Sequence, residues 1–266
     1  MKELYNRCYE IYDDYREAVP SYAAAALSFY LLLLLVPATS LFAVGASFFR
    51  LDLTIIETII EQYITTEYVT VIIEILQTKT INTVALVTLA LSIYTVSRGV
   101  GHIYEISKNM YGEVENENII GYYVYSIKLT LLLLFLFLGF VSIFAIAPLA
   151  KLFNWLYAIV GIRHILLYLI IVVCLMSIYK LVPRIKIGYS EAFKGALVAG
   201  ALMLVLYYGL QIYFSFANFQ NIYGPLASIV AVLFVFNWGA EIFYIGMYIT
   251  HIFYLRRKED ERENHH

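Results

Sequence analysis

Four polar residues stand where an otherwise apolar sequence could do chemistry: Arg98, His102, Asn237 and Glu241. Glu241 lies in FNWGAEIFYIG, fifteen residues before Arg256, which is about 22 Å at helical rise. In a membrane-crossing helix that distance puts its carboxyl near mid-span. An ionised carboxylate facing acyl chains there costs at least a few kcal/mol, so it must face the interior and be paired, protonated or hydrated. Arg98, in TVSRGVGHIYE, is the natural cation for it. His102 follows one turn later, Gly99 and Gly101 leave the backbone approachable, and Asn237 shares the Glu241 face. Such a polar focus offers a path for polar cargo or a proton. Its structural counterpart is an ion pair that locks two helices, and the sequence leaves both readings open.

Other chemistries find no footing. The chain carries no P-loop, GxSxG, HExxH or GxGxxG pattern. Of five histidines, His265 and His266 end a solvated tail, and His102, His164 and His251 fall on separate apolar segments, so no metal site or cofactor is expected. Cys8 and Cys174 match no zinc, haem or CxxC spacing. A net charge of −2 gives no basic field for nucleic acid.

The elements that position the four residues follow from composition. Hydrophobic residues make up 62% of the 266 and charged residues 14%, with a mean hydropathy of +0.76. That leaves too little polar surface to coat a soluble globule, so the excess apolar area faces lipid. Six segments reach the roughly twenty apolar residues that a bilayer core requires: 22–48, 81–104, 122–148, 162–182, 192–216 and 225–254. With the N-terminus inside, fourteen of the eighteen Lys and Arg fall on the cytoplasmic side and four outside. The positive-inside rule therefore predicts an all-α polytopic membrane protein of six spans, with both ends in the cytoplasm. The first apolar run, too long for a signal peptide, reads as a retained span.

The domain reading is a cytoplasmic amphipathic segment over 1–20, one six-helix membrane domain over 21–255, and a cytoplasmic tail over 256–266. In the first segment Leu4, Cys8, Ile11, Tyr12 and Tyr15 share a helical face, which suits either a membrane surface or the inner ends of the other helices. Between spans one and two, residues 53–77 predict two short external amphipathic helices, with Glu57, Glu61, Glu67 and Glu74 opposite an isoleucine face. They read as a structural cap or as a lid. Pro37 predicts a kink in the first span. Tyr223, Gly224 and Pro225, at the start of the helix that carries Glu241, make either a gating element or an ordinary turn. Ala192, Gly195, Ala196, Ala199 and Gly200 form a small-residue face that packs within the chain or pairs two copies, so a homo-oligomer stays open.

Four stretches carry a family resemblance: YAAAALSFYLLLLLVP at 22–37, LSIYTVSRGVGHIYEISKNMYG at 91–112, RIKIGYSEAFKGALVAG at 184–200 and NIYGPLASIVAVLFVFNWGAEIFYIG at 221–246. The chain resembles the YihY/BrkB family of bacterial inner-membrane proteins over nearly its whole length. The resemblance implies a multi-pass inner-membrane protein with six helices and cytoplasmic termini. Within the family pattern Arg98, Tyr223, Gly224, Gly239, Ala240 and Glu241 match motif positions. Members have been linked to serum resistance and envelope lipid handling, and some carry an old ribonuclease label that nothing in these residues supports.

Two functions are expected from these readings. One is a transporter or lipid- or glycolipid-handling protein, not an enzyme, organised around Arg98 and Glu241 with membrane lipids as partners. The other is a non-transporting scaffold that docks an envelope-assembly protein.

Overall fold

A computed structural model describes residues 2–33, 83–112, 119–144, 160–216 and 225–263. All regular structure among them is helical. Helix α1 spans Lys2–Ala18, α2 begins at Ala23 and is described to Leu33, and α3 spans Thr83–Tyr111. They are followed by α4 at Ile119–Phe144, α5 at Val160–Leu181, α6 at Tyr189–Phe216 and α7 at Pro225–Glu263. Pro225 opens α7, where its missing N–H is no loss. Gly112 closes α3 in the left-handed region with φ 65°, a cap that glycine adopts without a side-chain penalty.

Among the described residues, four stretches are long and apolar enough to cross a bilayer: Ile119–Leu136, His164–Leu181, Tyr189–Ile212 and Val232–Glu263. At most 33% of any of them is buried by protein, so their remaining apolar surface requires lipid. The expected first span is described only through Ala23–Leu33. The expected second span is helical throughout α3, and Ser97, Arg98, His102 and Glu105 dilute its apolar run. Helix α7, with 39 residues, is about 58 Å long, so it outruns a 30 Å hydrocarbon core and ends in RRKEDERE. Pro37, the external segment 53–77, Tyr223 and Gly224 lie outside the described residues.

The chain divides into two compact units. One contains 1–32, 102–118 and 167–266; the other contains 33–101 and 119–166. In the first, the core runs along α6 and α7. Ala192, Ala196 and Ala199 are fully buried, and so are Tyr179, Tyr244 and Met247. A Cβ at Gly195 would strike the Thr250 hydroxyl and the Gly246 carbonyl, and one at Gly246 would strike the Tyr179 hydroxyl and the Ala199 methyl. The small-residue face therefore lets α6 and α7 approach backbone to backbone within the chain. Tyr179 closes this seam by donating to the Phe243 carbonyl at 2.8 Å. Tyr168 donates to the Leu197 carbonyl at 3.0 Å, tying α5 to α6.

At the end of α5 the turn 182–188 is strapped down by cations. Lys180 Nζ donates to the Ile187 carbonyl at 3.3 Å and lies 3.2 Å from the Tyr189 ring centroid. Arg257 donates to the Lys186 carbonyl at 3.2 Å and pairs with the buried Glu191 at 2.9 Å. A Cβ at Gly188 would collide with that pair.

Candidate functional site

Glu241 sits on α7 in a stripe with Tyr244 and Tyr248, three and seven residues on, so all three address the same neighbour. That neighbour is α1. Tyr15 Oη donates to Glu241 Oε1 at 3.1 Å, and Arg16 Nη2 approaches the same oxygen at 3.3 Å. The Tyr15 ring meets the Tyr248 ring edge-on, with centroids 5.4 Å apart. Arg16 is held in turn by α1 itself. Its Nε donates to Tyr12 Oη at 3.1 Å, and its guanidinium lies 5.3 Å and 5.5 Å from the Tyr12 and Tyr15 ring centroids. Tyr12 and Arg16 are one turn apart, the spacing at which helical side chains meet.

Helix α1 thus packs on α7 through Tyr15, while Tyr9, Ile11 and Tyr12 stay exposed. Burial first, and the adjacent Glu241 carboxylate second, push the Tyr15 hydroxyl well above its ordinary range, so it serves as a donor. The bond to Tyr12 pushes the Arg16 guanidinium further up, so it stays charged. The carboxylate is therefore held by one fixed cation and one neutral donor, which is a charge-assisted arrangement.

The ion pair is not sealed. Side chains of Arg16 and Glu241 are 30% and 27% exposed. Tyr244, in contrast, is fully buried, and its hydroxyl has no hydrogen-bond partner among the described residues. Asn237 is half-buried one turn before Glu241.

His102 is buried in the same unit. Its Nε2 lies 3.1 Å from the Ala23 carbonyl, and a carbonyl only accepts, so Nε2 carries the proton. Tyr30 covers the ring at 5.6 Å. His102 is a staple between α3 and the start of α2.

Arg98 belongs to the other unit. There its Nη1 donates to Tyr123 Oη at 2.9 Å, and its guanidinium lies 5.8 Å from that ring centroid. The cation found on Glu241 is Arg16, which the sequence reading assigns only to the cytoplasmic charge count. Its signal is local: Tyr15 and Val19 are buried on a packing face, and Arg16 borders it. Periodicity places Tyr15 on the apolar face of α1, and its hydroxyl meets the acid 226 residues away. No group of three or more metal-ligating side chains converges among the described residues.

Apolar helices with uncovered surface, a long final helix, and a charge pair set into it define a multi-pass α-helical membrane protein. Residues 11–266 match the family described as Virulence factor BrkB, and the chain belongs to that family, an inner-membrane one. A UPF0761 membrane protein of Photobacterium profundum is 40% identical over 76 residues. That match spans 25% of this chain and 24% of the relative, so the chain covers about a quarter of the relative's length. No solved structure matches the chain.

Proposed function

We propose that this is a non-enzymatic, six-span transport or lipid-handling protein with both ends in the cytoplasm, which engages an amphiphile at the Glu241 site. The cargo is a lipid or glycolipid, because apolar walls with few charges suit a molecule of the same make-up. The observation that carries the reading is the partly open Tyr15–Arg16–Glu241 cluster. A fully buried ion pair locks helices and resists exchange, because each charge depends on the other. An accessible pair can trade Arg16 for a polar headgroup at small cost, since a partly exposed pair is worth only about 1 kcal/mol. The fourteen-to-four distribution of Lys and Arg supports the orientation. Arg98, held on Tyr123, is proposed as a further polar position used by the cargo and is judged separately by Arg98→Gln.

The test is reconstitution into vesicles containing a headgroup-fluorescent phospholipid, with loss of fluorescence after an impermeant quencher reporting transbilayer movement. The wild-type chain should accelerate movement, and Glu241→Gln should abolish it while circular dichroism keeps the wild-type helix content and melting falls by only a few degrees. Equal rates with and without the wild-type chain would overturn the reading. The scaffold alternative rests on the acidic external segment 53–77. It expects loss of function from charge reversal at Glu57, Glu61, Glu67 or Glu74 and none from Glu241→Gln.

A further inference from the structure

A second polar locus lies on the first unit, at the end where α6 begins and the apolar part of α7 stops. Three cations meet there, and they divide into two kinds. Arg257 is committed within the chain: it pairs with Glu191 and Glu261 and donates to the Lys186 carbonyl, so its role is structural. Lys194 and Arg256 are exposed and have no ion-pair partner among the described residues. Both stand on one ring, with Lys194 Nζ 4.3 Å and Arg256 Cζ 5.7 Å from the Phe253 centroid. Two exposed positive charges on one aromatic ring offer an anion a place to bind.

The surface running away from Lys194 says what kind. On α6, Lys194 shares a face with Val198, Ala201 and Val205, at helical spacing, and all are exposed. The stretch from Lys194 to Val205 is about 16 Å, close to half of a 30 Å hydrocarbon core. An anion at Lys194 and Arg256 would therefore have an apolar track one leaflet deep directly beneath it. A soluble anion has no use for that track; an acyl chain does.

The geometry points to an anionic-phospholipid site: the headgroup phosphate sits between Lys194 and Arg256 beside Phe253, and an acyl chain lies along Val198, Ala201 and Val205. The site is independent of the Glu241 reading, since it uses a different end of α7 and requires no transport. Each basic residue near a lipid surface contributes enough that losing both should weaken binding about thirty-fold.

The experiment uses the full chain, delipidated in neutral detergent and titrated with phosphatidylglycerol or phosphatidylcholine, with binding followed by native mass spectrometry and melting temperature. Phosphatidylglycerol should bind and raise the melting temperature well beyond phosphatidylcholine. The double variant Lys194→Gln with Arg256→Gln should lose that difference, while Lys258→Gln keeps it. The charge-preserving pair Lys194→Arg and Arg256→Lys should also retain it, which separates loss of charge from loss of fold. The inference is overturned if the double Gln variant binds as wild type does, if the charge-preserving pair also loses binding, or if Lys258→Gln loses as much. It is equally overturned if both lipids bind alike, or if inorganic phosphate alone reproduces the shift.

Discussion

Tyr15 Oη and Arg16 Nη2 converge on the same oxygen of Glu241, at 3.1 Å and 3.3 Å, so two consecutive residues of α1 hold one carboxylate of α7. The contact joins the N-terminal helix to the last one. It also makes the docking of α1 depend on the protonation of Tyr15.

The pH dependence follows from the raised Tyr15 hydroxyl. A tyrosine freed from the site ionises near its ordinary value of 10.0, while the docked one resists. Its folded value is the higher one, so its contribution is fully present below pH 10 and declines as pH rises beyond it. Melting curves from pH 8 to 11 should therefore fall more steeply for wild type than for Tyr15→Phe. At pH 7 the same variant should lose about 1.5 kcal/mol, the value of a hydrogen bond to a charged group, or roughly 4 °C. Parallel curves for the two proteins would show that the hydroxyl does not hold α1.

The seam between α6 and α7 predicts a sharp contrast among glycines. Gly195→Leu would drive a side chain into the Gly246 carbonyl, a backbone atom that cannot rotate away. Overpacking of this kind costs about 1–3 kcal/mol or more, so expression and melting temperature should both drop. A Cβ at Gly239 meets nothing within 4 Å. Gly239→Ala should be neutral or raise stability by about 0.5–1 kcal/mol, because alanine is the better helix former. Size-exclusion profiles after heating would rank the variants.

These two cases mark what the sequence could and could not reveal. Small residues at 192, 195, 196, 199 and 200 announce close helix contact because nothing else suits such positions in lipid. Glu241 announces itself in the same way, as a charge inside an apolar run. Its partner does not, because periodicity says which face a residue occupies and nothing about which distant element meets that face. Arg98 and Arg16 are equally eligible cations by type, and only the docking of α1 on α7 selects Arg16 for the observed bond. Arg257 shows the limit again. It counts as a topological charge in the sequence, yet in the fold it clamps Glu191 across 66 residues.

That clamp yields a further expectation. Glu191 is buried and Arg257 partly exposed, with side chains 8% and 35% exposed. Glu191→Ala would leave Arg257 without its main partner and release the turn at Lys186. The loss should be about 2 kcal/mol, less than for a fully buried pair because water can reach the arginine. Gly188→Ala should act in the same direction by forcing the pair apart. Proteolysis of the turn 182–188 should accelerate in both variants, and unchanged cleavage would remove the clamp from the account.

Tyr244 separates stability from function. Its hydroxyl is buried one turn from Glu241 and has no hydrogen-bond partner among the described residues. Burying an unpaired hydroxyl costs about 1–3 kcal/mol, so removing it should not weaken the fold. Tyr244→Phe keeps the ring on Phe243, at 5.4 Å, and should melt at or slightly above the wild-type temperature. If the hydroxyl serves only packing, lipid movement in vesicles should be unchanged. If a headgroup replaces Arg16 on Glu241 and also bonds this hydroxyl, movement should slow about tenfold, the value of one lost hydrogen bond of roughly 1.4 kcal/mol. A variant that is more stable and slower would mark Tyr244 as a cargo contact. One that is less stable and equally fast would show that its hydroxyl already has a structural partner and plays no part in the site.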